Sequence, residues 1–250
     1  VFNLHAFFQN GDFAGADTYL NGVADQTTFV AGKELRVAPG VKVLLAELLS
    51  TVAATRNYAR VESPSMRLIA NQDIPYFSNS AANQPWNLAS AHPYDPRPIE
   101  TNESLQFLVN TDDAAAQDHF GMVWVGDGPM QPIDGPVITV RATATIQQVA
   151  GVWVAGDITF TQKLPVTDYQ VVGMALQSAS GVAGRLVLPG SVWRPGVVNN
   201  SSLSGDHVFA IRRGQWGVLG EFNINQPPKL EMLGGVAAAQ VLFLDLIKIR

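Results

Sequence analysis

From residue 104 to residue 249 the chain is cut into short apolar runs by clusters of Gly, Pro and Asn, and this punctuation leaves little room for anything but β-structure. Ser104–Val109 alternates Leu105, Phe107 and Val109. Phe120–Val125 follows an Asp-rich bend and is closed by Gly126-Asp127-Gly128-Pro129. Val137–Val149 alternates Val, Thr, Ala and Ile, and Val152–Phe160 follows a turn at Ala150-Gly151, which reads as a long hairpin. Tyr169–Leu176, Arg185–Leu188, His207–Ile211, Gly217–Phe222 and Ala239–Ile249 complete the strand candidates. Strands of this length at this spacing predict a sandwich or barrel of antiparallel sheets, not an α/β fold. Alternation puts one face inward, so the expected core is Leu105, Phe107, Val109, Val123, Val125, Ile138, Val140, Ile158, Phe160, Val171, Leu186, Leu188 and Phe209.

The first hundred residues read differently. Residues 1–25 mix Phe2, Phe7, Phe8, Phe13 and Tyr19 with Gly, Asn and Asp, the pattern of an N-terminal arm. Thr27–Val30 and Glu34–Val37 flank a hairpin turn at Ala31-Gly32-Lys33. Over Pro39–Tyr58, Val41, Leu44, Leu45, Leu48, Leu49 and Val52 recur at helical spacing, which predicts one helix near 40–58. Residues 71–102 hold five prolines among Asn, Gln, Ser and aromatic residues, a long irregular excursion of the kind that carries function or makes contacts.

Charge narrows the function. Asp, Glu, Lys and Arg make up 15% of the 250 residues, against about 25% in ordinary domains. A surface so short of charge is poor at repelling neighbours and suits a chain that buries area against copies of itself. The net charge is −5 and no Lys/Arg run exists, so a direct grip on nucleic acid is not expected. The absence of Cys removes disulfides and thiolate chemistry. The start, Val1-Phe2-Asn3-Leu4-His5, does not read as a secretory leader. The apolar stretches Val41–Leu49 and Gly234–Ile247 fall short of the roughly 20 residues that span a bilayer, so an integral membrane protein is not expected.

Motifs for catalysis are missing: no Gly-x-Ser-x-Gly, phosphate loop or dinucleotide fingerprint occurs, and no two histidines have helical zinc spacing. The chain is therefore expected not to be an enzyme and to hold no cofactor. One clustered set of ligand-type residues, Asp112, Asp113 and Asp118, could offer oxygens to Ca2+, though the spacing does not match an EF-hand and Asp in a bend is normally a turn former. Glu100 and Glu103 read as a solvated strand entry, and Gly181-Val182-Ala183-Gly184 as a turn. Trp124 and Trp153 lie inside strands and should be packed. Trp86, Tyr94 and Trp193 lie beside or near Pro in loops, so with Phe2, Phe7, Phe8 and Phe13 they are the candidates for contact between subunits. The segments Gly121–Asp127 and Gly151–Asp157 look alike, an echo read as convergent strand composition or at most a trace of two related halves.

Many strands, an aromatic N-terminal arm, an early inserted helix and a long Pro/Asn excursion together resemble the jelly-roll capsid proteins of icosahedral viruses, including those of membrane-containing bacterial viruses. The resemblance implies an all-β, antiparallel jelly-roll sandwich, either a single roll with arms over 26–250 or two compact rolls split near 128–136. It implies a structural coat protein of the virion that self-assembles into an icosahedral shell, with copies of itself and other virion proteins as partners. Lack of a basic arm fits a coat standing over a viral membrane or a separate core. A carbohydrate-binding or adhesive β-sandwich, such as a viral spike or fibre domain, is the alternative.

Overall fold

The computed structural model describes residues 1–25, 29–50, 57–64, 74–76, 90–113, 115–199, 211–234 and 238–249. Nearly all regular structure among them is β-strand, and the strand pairs with an assigned register are antiparallel. Two compact units share the chain: His5–Pro129, and Met130–Arg250 together with Val1–Leu4.

The first unit contains β1 (Phe2–Gly11, whose first residues count with the other unit), β2 (Thr18–Tyr19), β3 (Asn21–Gly22), β4 (Phe29–Ala31), β5 (Glu34–Arg36) and β6 (Val43–Ser50). It continues with β7 (Asn57–Glu62), β8 (Ile74–Tyr76), β9 (Ser90–Ala91), β10 (Arg97–Pro98), β11 (Ser104–Thr111) and β12 (Gln117–Gly126). One sheet runs β10-β6-β12-β1-β3 and the other β4-β5-β11-β7-β8, with β9 on β6 and β2 on β11.

The second unit contains β13 (Val137–Ile146), β14 (Val154–Asp157), β15 (Thr159–Phe160), β16 (Asp168–Ser178), β17 (Gly181–Val187), β18 (Gly196–Val198), β19 (Gly220–Asn223), β20 (Lys229–Gly234) and β21 (Ala238–Lys248). Its sheets run β15-β13-β21-β16-β19 and β14-β20-β17-β18.

The chain takes the same path in both units. Numbering the principal strands of each from one to eight in chain order, one sheet has the order 1-8-3-6 and the other 2-7-4-5. In the first unit these are β1-β12-β6-β10 and β5-β11-β7-β8; in the second they are β13-β21-β16-β19 and β14-β20-β17-β18. Interleaved Greek keys of this kind, eight strands over two sheets, make a jelly roll. The Gly121 and Gly151 echo does not follow this repeat: the first copy covers the end of β12, the eighth strand of its roll, and the second covers the turn into β14 and β14 itself, the second strand of the other.

Within the first roll the sheets meet where Phe107 of β11 packs on β12 and β1. The Phe7 and Phe107 rings are 5.6 Å apart. A Cβ on Gly121 would lie 2.6 Å from Phe107 Cδ1, so the glycine is what lets the ring in. In the second roll Gly184 of β17 plays the same part, since a Cβ there would lie 2.7 Å from Leu176 Cδ2. Gly181–Gly184 therefore belongs to a buried strand, not to a turn.

Three expectations are corrected. Residues 43–50 form strand β6, not a helix near 40–58, and all eight are buried; 51–56 lie outside the described residues. A strand covered on both faces has no need to alternate, and a run of nearly uniform Leu and Val satisfies a helical template by default. Residues 1–25 are not an arm: Phe2–Gly11 is the first strand of a roll, and Phe2, Leu4, Ala6, Phe7 and Phe13 are buried. The hairpin read across Ala150-Gly151 is also not one. β13 pairs β21 while β14 pairs β20, so the chain crosses there from one sheet to the other. The turn at Gly32 does join a hairpin, β4–β5, with Gly32 at φ +59°. Of the expected core, Ile138 is 43% exposed near the outer end of β13 and Phe160 is half-buried against Phe222. Phe209 lies outside the described residues.

Candidate functional site

Several buried ionisable side chains are paired, each tying a strand to another strand or to a connection. His119 of β12 is buried beneath Phe13, ring on ring at 4.3 Å. Its Nε2 lies 3.2 Å from the Gly11 carbonyl and 3.1 Å from Asp113 Oδ2. Both neighbours are acceptors, so the ring carries a proton on that nitrogen. Burial pushes the His119 pKa down, against the pull of the Asp113 charge. Asp113 Oδ2 also accepts from Thr111 Oγ1 at 2.6 Å. His5 of β1 lies 3.2 Å from Asp25 through Nδ1.

On β6, the Glu47 carboxylate is buried and lies 3.3 Å from Arg97 Nη1 of β10. Burial pushes its pKa up to about 7, with Arg97 opposing. Glu103 Oε2 accepts from the Glu100 backbone N–H at 2.7 Å, closing the turn into β11, which is a structural use of that carboxylate.

In the second roll, Asp245 of β21 accepts from Arg212 Nε at 2.8 Å and Nη2 at 3.0 Å, from Thr139 Oγ1 at 2.6 Å and from the Arg213 N–H at 2.8 Å. Burial works to raise its pKa, but these donors together hold it below the ordinary carboxylate value. Arg185 of β17 donates to Glu231 at 2.6 Å and to the Leu4 carbonyl at 3.0 Å, and its guanidinium lies 4.1 Å from the Trp153 ring centre.

The three aspartates considered for Ca2+ are not brought together. Asp113 is taken by His119 and Thr111, Asp118 accepts from Asn10 Nδ2 at 2.9 Å, and Asp112 is partly buried. Among the described residues no group of three His, Asp or Glu side chains is placed to hold a metal ion.

The residues considered for subunit contact divide. Phe2 packs edge-on to Trp216 at 5.2 Å, Phe7 on Phe107, Phe8 against Phe120 at 4.9 Å and Phe13 on His119. Phe2, Phe7 and Phe13 are buried within the chain itself, whereas Phe8 is half-buried. Tyr94 is 53% exposed, Trp193 is half-buried and Trp86 lies outside the described residues.

Besides Ile138, four valines are exposed that sequence reading did not single out: Val149 at 46%, Val152 at 48%, Val166 at 72% and Val192 at 68%. Val149 and Val152 face each other across the tight turn between β13 and β14, with Gly151 at φ +70°. That turn is held from below. Buried Gln148 donates to Ser178 Oγ at 3.3 Å, at the end of β16 where the chain turns into β17. Asn199 joins the same connection, accepting from the Ser178 N–H at 2.8 Å and donating to the Ser178 and Gly181 carbonyls at 2.6 Å each. Gln240 accepts from the Ile146 N–H at 2.9 Å. Uncharged buried side chains thus lock several connections into one rigid end of the roll.

No protein-family model matches the chain, and no curated protein matches it. Among solved structures, the crystal structure of the STIV MCP aligns over 99% of this chain and 97% of its own, at 8% sequence identity and a TM-score of 0.26. That score is too low for the likeness to carry the fold, which rests on the strand order alone.

Proposed function

We propose that this chain is a viral coat protein that assembles with copies of itself and other virion proteins into an icosahedral shell. The observation that carries the reading is the pair of jelly rolls with one strand order on a single chain. Jelly rolls serve as capsid subunits, lectins and cupins, so the fold alone does not choose among them. Two rolls in tandem double the loops and sheet edges that one subunit offers to a closed lattice, and repeated modest contacts add up to a durable particle. A surface with 15% charged residues and bare valines favours the same choice. The buried ionisable pairs join one strand to another or to a connection, which favours a structural over a catalytic role. No helix among the described residues is long and apolar enough to cross a membrane. The reading places the protein over a viral membrane or core, not within a bilayer, and not in direct contact with nucleic acid.

Native mass spectrometry and electron microscopy of the purified protein test this. Closed oligomers or shells are expected. A monomer at all concentrations with measurable glycan affinity would support the adhesive reading instead, for which exposed Tyr94, beside Pro93, is the favouring observation.

A further inference from the structure

The strand registers sort the connections of the second roll by end. Ile146 pairs Ala238 and Ser178 pairs Gln240, so β13 ends, β16 ends and β21 begins at one end of the first sheet. Val154 pairs Met232, Gly181 pairs Gly234 and Ala183 pairs Val198, so β14 begins, β17 begins, β18 ends and β20 ends at one end of the second. The turn 147–153 and the turn 179–180 join these ends, which places them at the same end of the sandwich.

Among the described residues that end is nearly free of charge. No Asp, Glu, Lys or Arg occurs in 142–156, in 169–184 or in 232–244. Among the described residues, the exposed side chains at this end are Thr145, Gln147, Val149, Val152, Gln177, Ala179 and Ala239. The fourth connection, from β18 to β19, carries Asp206 and His207 within 200–210, outside the described residues. Its Arg212 is held away from this end on Asp245 of β21. The opposite end is charged: Asp157 and Lys229 meet there at 3.2 Å, with Lys163, Asp168 and Lys248 in the strands and connection around them.

We propose that this uncharged end of the second roll is an interface between copies of the chain, meeting the same end of a second copy around Val149 and Val152. The chain carries a net charge of −5, so charged faces of two copies repel. A face without charge brings two copies together with no such repulsion, and charge depletion marks the centre of protein interfaces. The end is also preorganised: Gln148, Ser178, Asn199 and Gln240 fix its turns, so little is left to order on association. Two half-exposed valines without a basic residue beside them are a poor membrane anchor, which argues for a protein partner over a bilayer. Val166 and Val192 are barer, but they lie at the charged end, near Lys163, Asp168 and Arg194. The inference deepens the coat-protein reading by naming one of its contacts.

Sedimentation of the full chain tests it, comparing wild type with the double variant Val149→Glu/Val152→Glu, the double variant Val149→Lys/Val152→Lys and the control Val166→Glu. The wild type and the control are expected to associate alike. Each double variant alone should associate at least about tenfold more weakly, because like charges face each other. Mixing the Glu and Lys variants should restore association, since only an end that meets itself brings the two together. Near-ultraviolet circular dichroism checks that the turn is intact, and the single variant Val149→Glu repeats the test if a double variant loses the native signal. Association unchanged in the double variants overturns the interface while leaving the coat reading standing. A variant-sensitive dimer that never builds larger particles supports the interface and sinks the coat reading. A wild type that floats with phosphatidylcholine vesicles but does not self-associate assigns the turn to a bilayer and overturns the proposal.

Discussion

Glu47 is a carboxylate in the middle of a strand whose eight residues are all buried, with one guanidinium for company. Its pKa is raised from 4.5 to about 7, so the folded state holds a proton that the unfolded state gives up. Stability from that proton is complete below pH 4.5 and drains away as pH rises to 7, by up to about 3 kcal/mol. Glu47→Gln should flatten this slope and leave the protein more stable than wild type above pH 7, as read by urea denaturation across pH. His119 acts in the opposite sense: its lowered pKa removes stability as pH falls below 6.5. The difference between the two denaturation series therefore isolates Glu47. Packing makes a second forecast at this scale. Gly121→Ala would push a methyl into Phe107 and should cost about 1–3 kcal/mol, whereas Phe107→Ala should cost about 3–5 kcal/mol through the cavity it leaves. Losses under about 1 kcal/mol at both sites would mean that the sheets do not meet there.

Strand β1 shows how much an element depends on its neighbours. Its aromatics gave it the look of an arm, yet it lies between β12 and β3, and both buried histidines of the first unit touch it or its turn. Deleting residues 1–13 should therefore abolish folding of His5–Pro129, seen as loss of near-ultraviolet dichroism, and not merely block assembly. A truncated chain with native dichroism would return the segment to the status of an arm. Asp245 makes a comparable forecast for β21. With four donors on its carboxylate, Asp245→Ala leaves Thr139 and the Arg213 N–H without their acceptor and frees the part-exposed Arg212, at a cost of about 1–3 kcal/mol in denaturant titration. Gly173 keeps that site open, since a Cβ there would lie 2.5 Å from Asp245 Oδ2. The register of β16 against β21 shifts between Val171 and Gly173, which is where the chain makes that room.

For the whole molecule, two jelly rolls with a net charge of −5 and no basic run predict no grip on nucleic acid. A gel-shift assay at physiological salt should show no complex with single- or double-stranded DNA or RNA. Submicromolar binding would mean that a phosphate-binding surface has been overlooked. The local rules of strands were readable along the chain wherever one face is buried: Leu105, Phe107 and Val109 alternate in β11 and are buried as the alternation requires. The hairpin at Gly32 was readable because its turn chemistry is local, and the poverty of charge was readable because it needs no structure at all. What the residues could not disclose was which strands are neighbours. β6 looked helical because burial on both faces erases alternation, and β1 looked detached because its partners β12 and β3 are defined only by pairing. The doubling of the roll is likewise carried by strand order and not by repeated residues. The uncharged end exists only because the registers gather turns from distant parts of the chain. Alternation and turn chemistry act over a few residues and are written in the sequence, whereas pairing across a hundred residues is decided by packing in three dimensions.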